Sequence, residues 1–271
     1  MSNFLKKSMT WSLSVISVIF TFVPEPVFAC FKLLKNASAE MNIIANRILS
    51  FAAVTLAVML GYSLYLWLRK SVQIKGRNYN IHISYGDIFD MDNCKKVIPF
   101  DECFTTSVGS ATHQIKPTSV CGQYLTKHPI DSIQTLIDAV HLKPERSRSK
   151  YNGQVRYESG TLVPNGDHLL MAFAKLDENG LGRMSRDEYL DCLSTLWQEI
   201  SKHYGQTDVC VPVLGSGITR LDDTSLTQQE LLDMMIASYK LSAHKIKPPL
   251  KLHIVCRKCD GFSLNRIGNH I

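Results

Sequence analysis

Between Ile48 and Leu68 the chain runs for 21 residues without a charge (ILSFAAVTLAVMLGYSLYLWL), with Arg47 before it and Arg69-Lys70 after it. At a rise of about 1.5 Å per residue, such a stretch matches the ~30 Å hydrocarbon thickness of a bilayer. Tyr62, Tyr65 and Trp67 gather towards one end, where amphipathic rings sit at the level of the lipid headgroups. A buried core helix seldom reaches this length with no charge at all, so the pattern predicts a transmembrane helix over 48–68. That segment divides the 271-residue chain into a membrane part, about 1–70, and a part over 71–271 that is long enough to bury a core of its own.

The stretch before it is less uniform. Lys6-Lys7 precede an apolar run from Met9 to Val23, and Pro24-Glu25-Pro26 separates that run from a second one, Val27 to Phe31. One reading is a second transmembrane helix, about 9–31, kinked at the prolines. The other is a signal peptide, since Val27-Phe28-Ala29-Cys30 resembles a lipoprotein cleavage box, although Phe28 fits it poorly. Either way the second segment runs from outside to inside, and Arg69, Lys70, Lys75 and Arg77 beyond it agree with the positive-inside rule, while Lys32, Lys35 and Arg47 on the other side weaken that agreement. The expected location is therefore the plasma (inner) membrane, multi-pass, with the large part facing the cytosol. Glu25 is expected in the external turn or headgroup layer rather than in the hydrocarbon.

Charge and cysteine usage narrow the class of the large part. The chain has 30 Lys+Arg against 24 Asp+Glu, a formal charge of +6, and no block of five basic residues, which gives no footprint for nucleic acid. Its 45% hydrophobic and 20% charged residues exclude a disordered chain. The eight cysteines are scattered, and Cys192 and Cys210 lie in apolar settings, so they read as unpaired thiols in a reducing compartment.

Beyond Lys70, strands and helices alternate. Tyr79–Tyr85, Lys96–Pro99, Leu169–Ala174, Val209–Leu214 and Leu252–Cys256 read as strands. Pro129–Leu142 carries apolar residues at helical spacing. Ser185-Arg-Asp-Glu188 and Thr227-Gln-Gln-Glu230 are capping boxes opening two further helices, the second running to about Leu241. Continuous apolar strands between amphipathic helices indicate an α/β domain with a buried, parallel or mixed sheet covered by helices.

Two strand-to-loop junctions then stand out. Ser84-Tyr85-Gly86-Asp87-Ile88-Phe89 puts a carboxylate just past a strand end, and Val213-Leu214-Gly215-Ser216-Gly217-Ile218-Thr219 puts a glycine-bracketed loop after a buried strand. Ligands of open α/β sheets bind outside the carboxyl ends of the strands. Glycines there let backbone N–H groups approach a diphosphate, and a neighbouring carboxylate accepts a hydrogen bond from an exocyclic amine such as that of adenine.

The Gly86-Asp87-Ile88 and Leu214–Ile218 segments resemble the adenine- and phosphate-contacting loops of macro domains, which bind ADP-ribose and its derivatives. KVIPFDECF (Lys96–Phe104), SVCGQYL (Ser119–Leu125), YESGTLV (Tyr157–Val163), LLMAFAKLDENG (Leu169–Gly180) and VPVLGSGITRL (Val211–Leu221) are similar to one branch, the membrane-tethered macro-domain effectors of Thoeris anti-phage defence, which carry two transmembrane helices before the macro domain. The resemblance implies a three-layer α/β/α macro-like domain with a mixed sheet, preceded by a two-helix transmembrane hairpin. It also implies a binding module rather than an enzyme, with no cofactor. Its ligand would be an ADP-ribose derivative, histidine-ADP-ribose, made by a partner TIR-domain enzyme; binding would make the chain self-associate as a homo-oligomer and disrupt the lipid bilayer. Carried onto this sequence, the ligand-binding residues are Gly86, Asp87, Ile88, Phe89, Gly122, Leu214, Gly215, Ser216, Gly217, Ile218 and Thr219. Macro domains that hydrolyse ADP-ribosyl links often carry asparagine after an early strand. Pro99-Phe100-Asp101-Glu102 lacks it, which weighs against the alternative of an anchored ADP-ribosyl hydrolase.

Other motifs receive plainer readings. Asp177–Glu188 matches a calcium loop in part, the basis of an alternative calcium-responsive module, but Leu181 and Arg183 occupy would-be ligand positions. It reads instead as a surface loop leading to the Ser185 cap. Cys256-Arg-Lys-Cys259 is a lone pair at a strand end, without two further ligands at zinc spacing.

Overall fold

The computed structural model describes residues 2–29, 38–111, 114–217, 219–221 and 226–267. The chain divides into two compact units, with the break between Arg69 and Lys70.

The first unit is helical. Helix α1 (Ser2–Phe22) is followed by a short α2 (Glu25–Ala29) and by α3 (Ala39–Leu68). The Ser38 hydroxyl caps α3 by accepting from Met41 N at 3.3 Å, so this helix begins well before the uncharged run. The rings of Phe4 and Tyr62 stack at 5.3 Å, while Asn46 Nδ2 donates to Phe28 O at 2.6 Å. Those contacts join the start of α1 to the end of α3 and α2 to its beginning, which makes an antiparallel helical hairpin. Glu25, the first residue of α2, pairs with Arg47 of α3 at 3.3 Å.

Among the described residues, α3 alone is long and apolar enough to cross a membrane. The expectation of two such helices is corrected here. The first apolar segment is helical from Ser2 rather than Met9, and takes in Lys6, Lys7 and many hydroxyls, which lower its apolarity. Thr10, Ser12, Ser14 and Thr21 donate back to carbonyls four residues earlier, which satisfies those hydroxyls within the helix. The cleavage-box residue Cys30 and the loop lysines Lys32 and Lys35 lie outside the described residues.

The second unit is built on one mixed sheet. Its strands are β1 (Ser71–Lys75), β2 (Asn80–Tyr85), β3 (Cys94–Asp101), β4 (Leu162–Asn165), β5 (His168–Leu176), β6 (Gly182–Met184), β7 (Asp208–Pro212), β8 (Arg220–Leu221) and β9 (Leu252–Cys256). They run in the order β1-β2-β9-β7-β3-β5-β6-β8, with β4 paired to β5. The central five, β2, β9, β7, β3 and β5, are all parallel, so their carboxyl ends share one edge. β1 is antiparallel to β2, and β4 and β6 are each antiparallel to β5, while β8 runs parallel to β6.

Period-two alternation sends consecutive residues to opposite faces. Leu169, Met171 and Phe173 join a core with α6 (Arg186–His203) and α7 (Gln228–Leu241), whereas Leu170 and Ala172 join one with α4 (Val120–Lys127) and α5 (Ile133–Ala139). The result is the expected three-layer α/β/α arrangement. Both capping boxes form, at Ser185/Glu188 and Thr227/Glu230. The helix predicted over 129–142 is shorter, because the Ser132 side chain caps it and the left-handed His141 (φ 53°) ends it.

Candidate ligand-binding site

At the carboxyl edge of the five parallel strands lies a cavity of about 470 Å³, in the range that takes a drug-sized ligand. Phe100 of β3, Phe173 of β5, Pro212 of β7 and Val255 of β9 give it an apolar floor. The turn after β7 forms one wall and the approach to α4, from Lys116 to Cys121, forms another.

The turn after β7 is fixed from behind. Leu214 is buried, and its carbonyl accepts from the Tyr189 hydroxyl of α6 at 3.1 Å. Ser216 donates its hydroxyl to Val213 O at 2.6 Å, so it serves its own turn. Gly215 has φ +78°, a left-handed backbone that glycine adopts without a Cβ clash. A Cβ on Gly217 would meet no heavy atom within 4 Å, so its backbone is bare. Leu214, Gly215, Ser216, Gly217 and Thr219 all line the cavity; Ile218 lies outside the described residues.

The loop after β2 stands on the same sheet edge but does not line this cavity. Gly86 N donates to Cys256 O at 3.2 Å, and a Cβ on Gly86 would stand 3.9 Å from Val255, a floor residue. Asp87 caps the turn Ile88–Asp90, one carboxylate oxygen accepting from Phe89 N at 3.1 Å. Ile88 is a core residue at 2% exposure, and the Phe89 ring lies under the Lys127 ammonium at 4.4 Å. Gly122 is a packing position: a Cβ there would fall 2.2 Å from Lys116 O. It sits behind the wall while its neighbours Val120 and Cys121 face the cavity.

Three lining residues escaped the sequence reading. Asp101, at the end of β3, accepts from Cys103 N at 2.9 Å and Thr105 N at 3.1 Å through one oxygen. Burial pushes its carboxyl above the ordinary range, against the pull of those hydrogen bonds. Arg257 follows β9 and exchanges two hydrogen bonds through its backbone with the Gln228 side chain, which leaves its guanidinium at the rim. Lys116 supplies a second rim cation. Asp101 and Arg257 obey the same strand-end rule that singled out Asp87.

The model for the macro domain of Thoeris protein ThsA matches residues 81–257, from β2 to the residue after β9. The chain belongs to this family. A Thoeris protein ThsA from Bacillus amyloliquefaciens (strain Y2) is 29% identical over 264 residues, spanning 94% of this chain and 86% of that protein. The match therefore extends beyond the macro domain into the helical unit. Among solved structures, the macrodomain of Thermus aquaticus DarG is 12% identical and covers 65% of this chain and 97% of its own, with a TM-score of 0.39. A mutant of the Oceanobacillus iheyensis macrodomain with ADPR is 10% identical, covers 69% and 90%, and has a TM-score of 0.43.

Within this Thoeris macro domain, the remaining sequence motifs are occupied by protein groups. Asp177 accepts from Asn179 N, Leu181 N and Arg183 Nε, each within 2.9 Å, so the loop that resembles a calcium site is closed on its own backbone and on an arginine. Those contacts hold its carboxyl below the ordinary range, led by the bond from Leu181. Cys256 is buried and Cys259 exposed, both as free thiols.

Proposed function

We propose that this protein is an anti-phage effector whose macro domain senses an ADP-ribose-derived nucleotide made by a partner TIR-domain enzyme, with histidine-ADP-ribose as the ligand. The observation that carries the reading is the cavity at the shared carboxyl edge, bounded by the bare Gly217 backbone and the Arg257 and Lys116 cations. In this proposal the Gly215–Thr219 turn and Arg257 hold the diphosphate and distal ribose. Asp87, with one carboxylate oxygen outside its capping bond, accepts from the adenine amine, and Ile88 backs that loop from the core. The role is binding without turnover.

The helical unit would act at the inner membrane, with α3 spanning it, α1 packed beside α3, and the macro domain in the cytosol. Leu60, Leu64 and Trp67 are exposed on α3, as lipid-facing side chains would be. Lys70 O accepts from Tyr85 N at 3.3 Å, and Tyr85 directly precedes Gly86-Asp87, so the ligand loop is one hydrogen bond from the chain that leaves α3. Ligand binding would favour a self-associated state that disrupts the bilayer. This requires tighter binding to that state, because equal affinity for both states shifts nothing.

Titration calorimetry on the detergent-solubilised full chain tests the reading, with ADP-ribose and histidine-ADP-ribose as ligands. Both should bind, and Asp87→Ala should weaken both about tenfold, the worth of one hydrogen bond to a charged group. Absence of heat from a folded protein, or full affinity in a folded Asp87→Ala variant, would refute the receptor or the adenine assignment respectively. Release of free ADP-ribose from an ADP-ribosylated substrate would replace binding by hydrolysis.

A further inference from the structure

Between α5 and β4 the chain presents a run of positive charge. Lys143, Arg146, Arg148 and Lys150 are all exposed, and none of them has an ion pair among the described residues. The side chains between them are spent on holding the loop. Glu145 pairs with Arg156, Ser147 Oγ accepts from Arg156 Nη2 at 2.6 Å, and the buried Ser149 donates to Glu102 Oε1 at 2.6 Å. Two backbone bonds close the return, Glu145 N to Arg156 O at 2.9 Å and Ser149 N to Gln154 O at 3.0 Å. From 143 to 158, five cations (Lys143, Arg146, Arg148, Lys150, Arg156) face Glu145 and Glu158; counting the buried Glu102 as well leaves 5 − 3 = 2 positive charges in excess. The neighbouring pairs Lys175–Glu188 and Arg183–Asp177 are neutral and leave that balance unchanged.

The loop is pinned to one edge of the sheet. Tyr157 N donates to Glu102 O at 2.8 Å, and Glu102 is the residue just past the carboxyl end of β3. The chain enters the second unit at the same edge: Ser71 pairs with Ser84 near the end of β2, and Lys70 O accepts from Tyr85 N at 3.3 Å. Along that edge β2 and β3 are separated by β9 and β7, about 14 Å. Only Arg69 and Lys70 stand between α3 and β1, so chain length alone keeps Ser71 within about 11 Å of Leu68.

We infer that the 143–150 loop docks on anionic lipid headgroups of the membrane that α3 spans, with the carboxyl edge of the sheet turned towards the bilayer. The inference rests on the membrane part of the reading above and adds the surface that meets the lipid. A tether this short holds one anionic surface at high effective concentration, whereas a nucleic acid or an acidic protein must be recruited from solution. The tether is also comparable with the distance, about 8–10 Å, over which a leaflet's potential acts at moderate salt. Each Lys or Arg brought to an anionic leaflet is worth roughly fivefold in partition, so four unpaired cations suffice to orient a domain that is already anchored.

The test places the full-length chain in nanodiscs of phosphatidylcholine alone or with about a third phosphatidylglycerol. A water-soluble acetylating ester then labels lysines, and mass spectrometry follows Lys143 and Lys150 against Lys247, which is exposed just before the amino end of β9. Phosphatidylglycerol should slow labelling of Lys143 and Lys150 about threefold or more at low salt, with Lys247 little changed, and high salt should abolish the difference. Arg146→Gln/Arg148→Gln, which removes two exposed cations with no ion pair to lose, should melt like wild type and lose the protection. Equal labelling in the two discs, or protection that survives high salt or the double variant, overturns the inference and leaves the membrane reading standing. Protection by an added oligonucleotide and none by phosphatidylglycerol would assign the loop to nucleic acid and overturn it too. A folded chain that fails to enter either disc overturns the membrane reading itself, and this inference with it.

Discussion

Gly217→Val separates the cost of a side chain to the fold from its cost to a ligand. The backbone of Gly217 lies outside the left-handed region, and a Cβ built on it meets nothing within 4 Å. Valine should therefore change stability by no more than about 0.5 kcal/mol, the usual range for an exposed position with nothing to disturb. Binding is another matter. A phosphate oxygen must come within about 2.7–2.9 Å of a backbone N–H, and two added methyl groups stand in that approach. Loss of one such charge-assisted bond is worth about 1.5–3 kcal/mol, or roughly ten- to 150-fold in affinity. Gly215 is a poorer probe, because its φ of +78° would add about 1–2 kcal/mol of backbone strain to any loss of binding. Calorimetry with ADP-ribose and a thermal melt on the same preparation read both quantities. A Gly217→Val protein that melts like wild type and binds like wild type would show that no phosphate rests on this turn.

Two further perturbations probe the walls. Glu102 is 1% exposed and accepts from Ser149 at 2.6 Å, Leu176 N at 3.1 Å and Arg156 at 3.3 Å, so Arg156→Met leaves a buried carboxylate without its cation. The expected loss is about 3 kcal/mol, roughly 6–12 °C in a domain of this size, with partial recovery in Glu102→Gln/Arg156→Met; a shift under about 2 °C would contradict the network. His82 contacts His253 at 3.2 Å, and burial, then His253 and Lys251, lower its pKa against the opposing pull of Asp208. Burial also lowers His168 and His203. Below about pH 6.5 the unfolded chain then binds more protons than the folded one, so stability present above that pH is lost as pH falls. Urea midpoints should drop between pH 7 and 5.5, and His82→Gln should flatten part of that slope; an unchanged slope would assign the pH dependence to other groups.

What the sequence makes legible is what is local. The span Leu252–Cys256 is the strand observed, and both capping boxes close as read, because each depends on residues within four positions of one another. The helix expected from Pro129 begins later because Ser132 competes for the cap, a contest that apolar spacing does not register. The strands Ser71–Lys75 and Leu162–Asn165 escaped notice because each is short, lies at an edge of the pairing, and in the second case contains Pro164. The glycine turn was legible, since its chemistry is contiguous. Asp101 and Arg257 were not, because they share a cavity only through the order β9-β7-β3, and strand order is a property of tertiary pairing.

The same logic explains how one strand end serves two chemically different spaces. Asp101 closes β3, and Glu102 continues its ladder with β5 by donating N–H to Ala174 O at 2.8 Å. Asp101 lines the cavity at the strand ends, whereas Glu102, in the turn just past β3, lines a neighbouring cavity with Arg156, Lys175 and Glu188. Leu176, whose N–H binds Glu102, lines both. The partition is thus a pair of neighbouring strand ends tied together by a buried carboxylate.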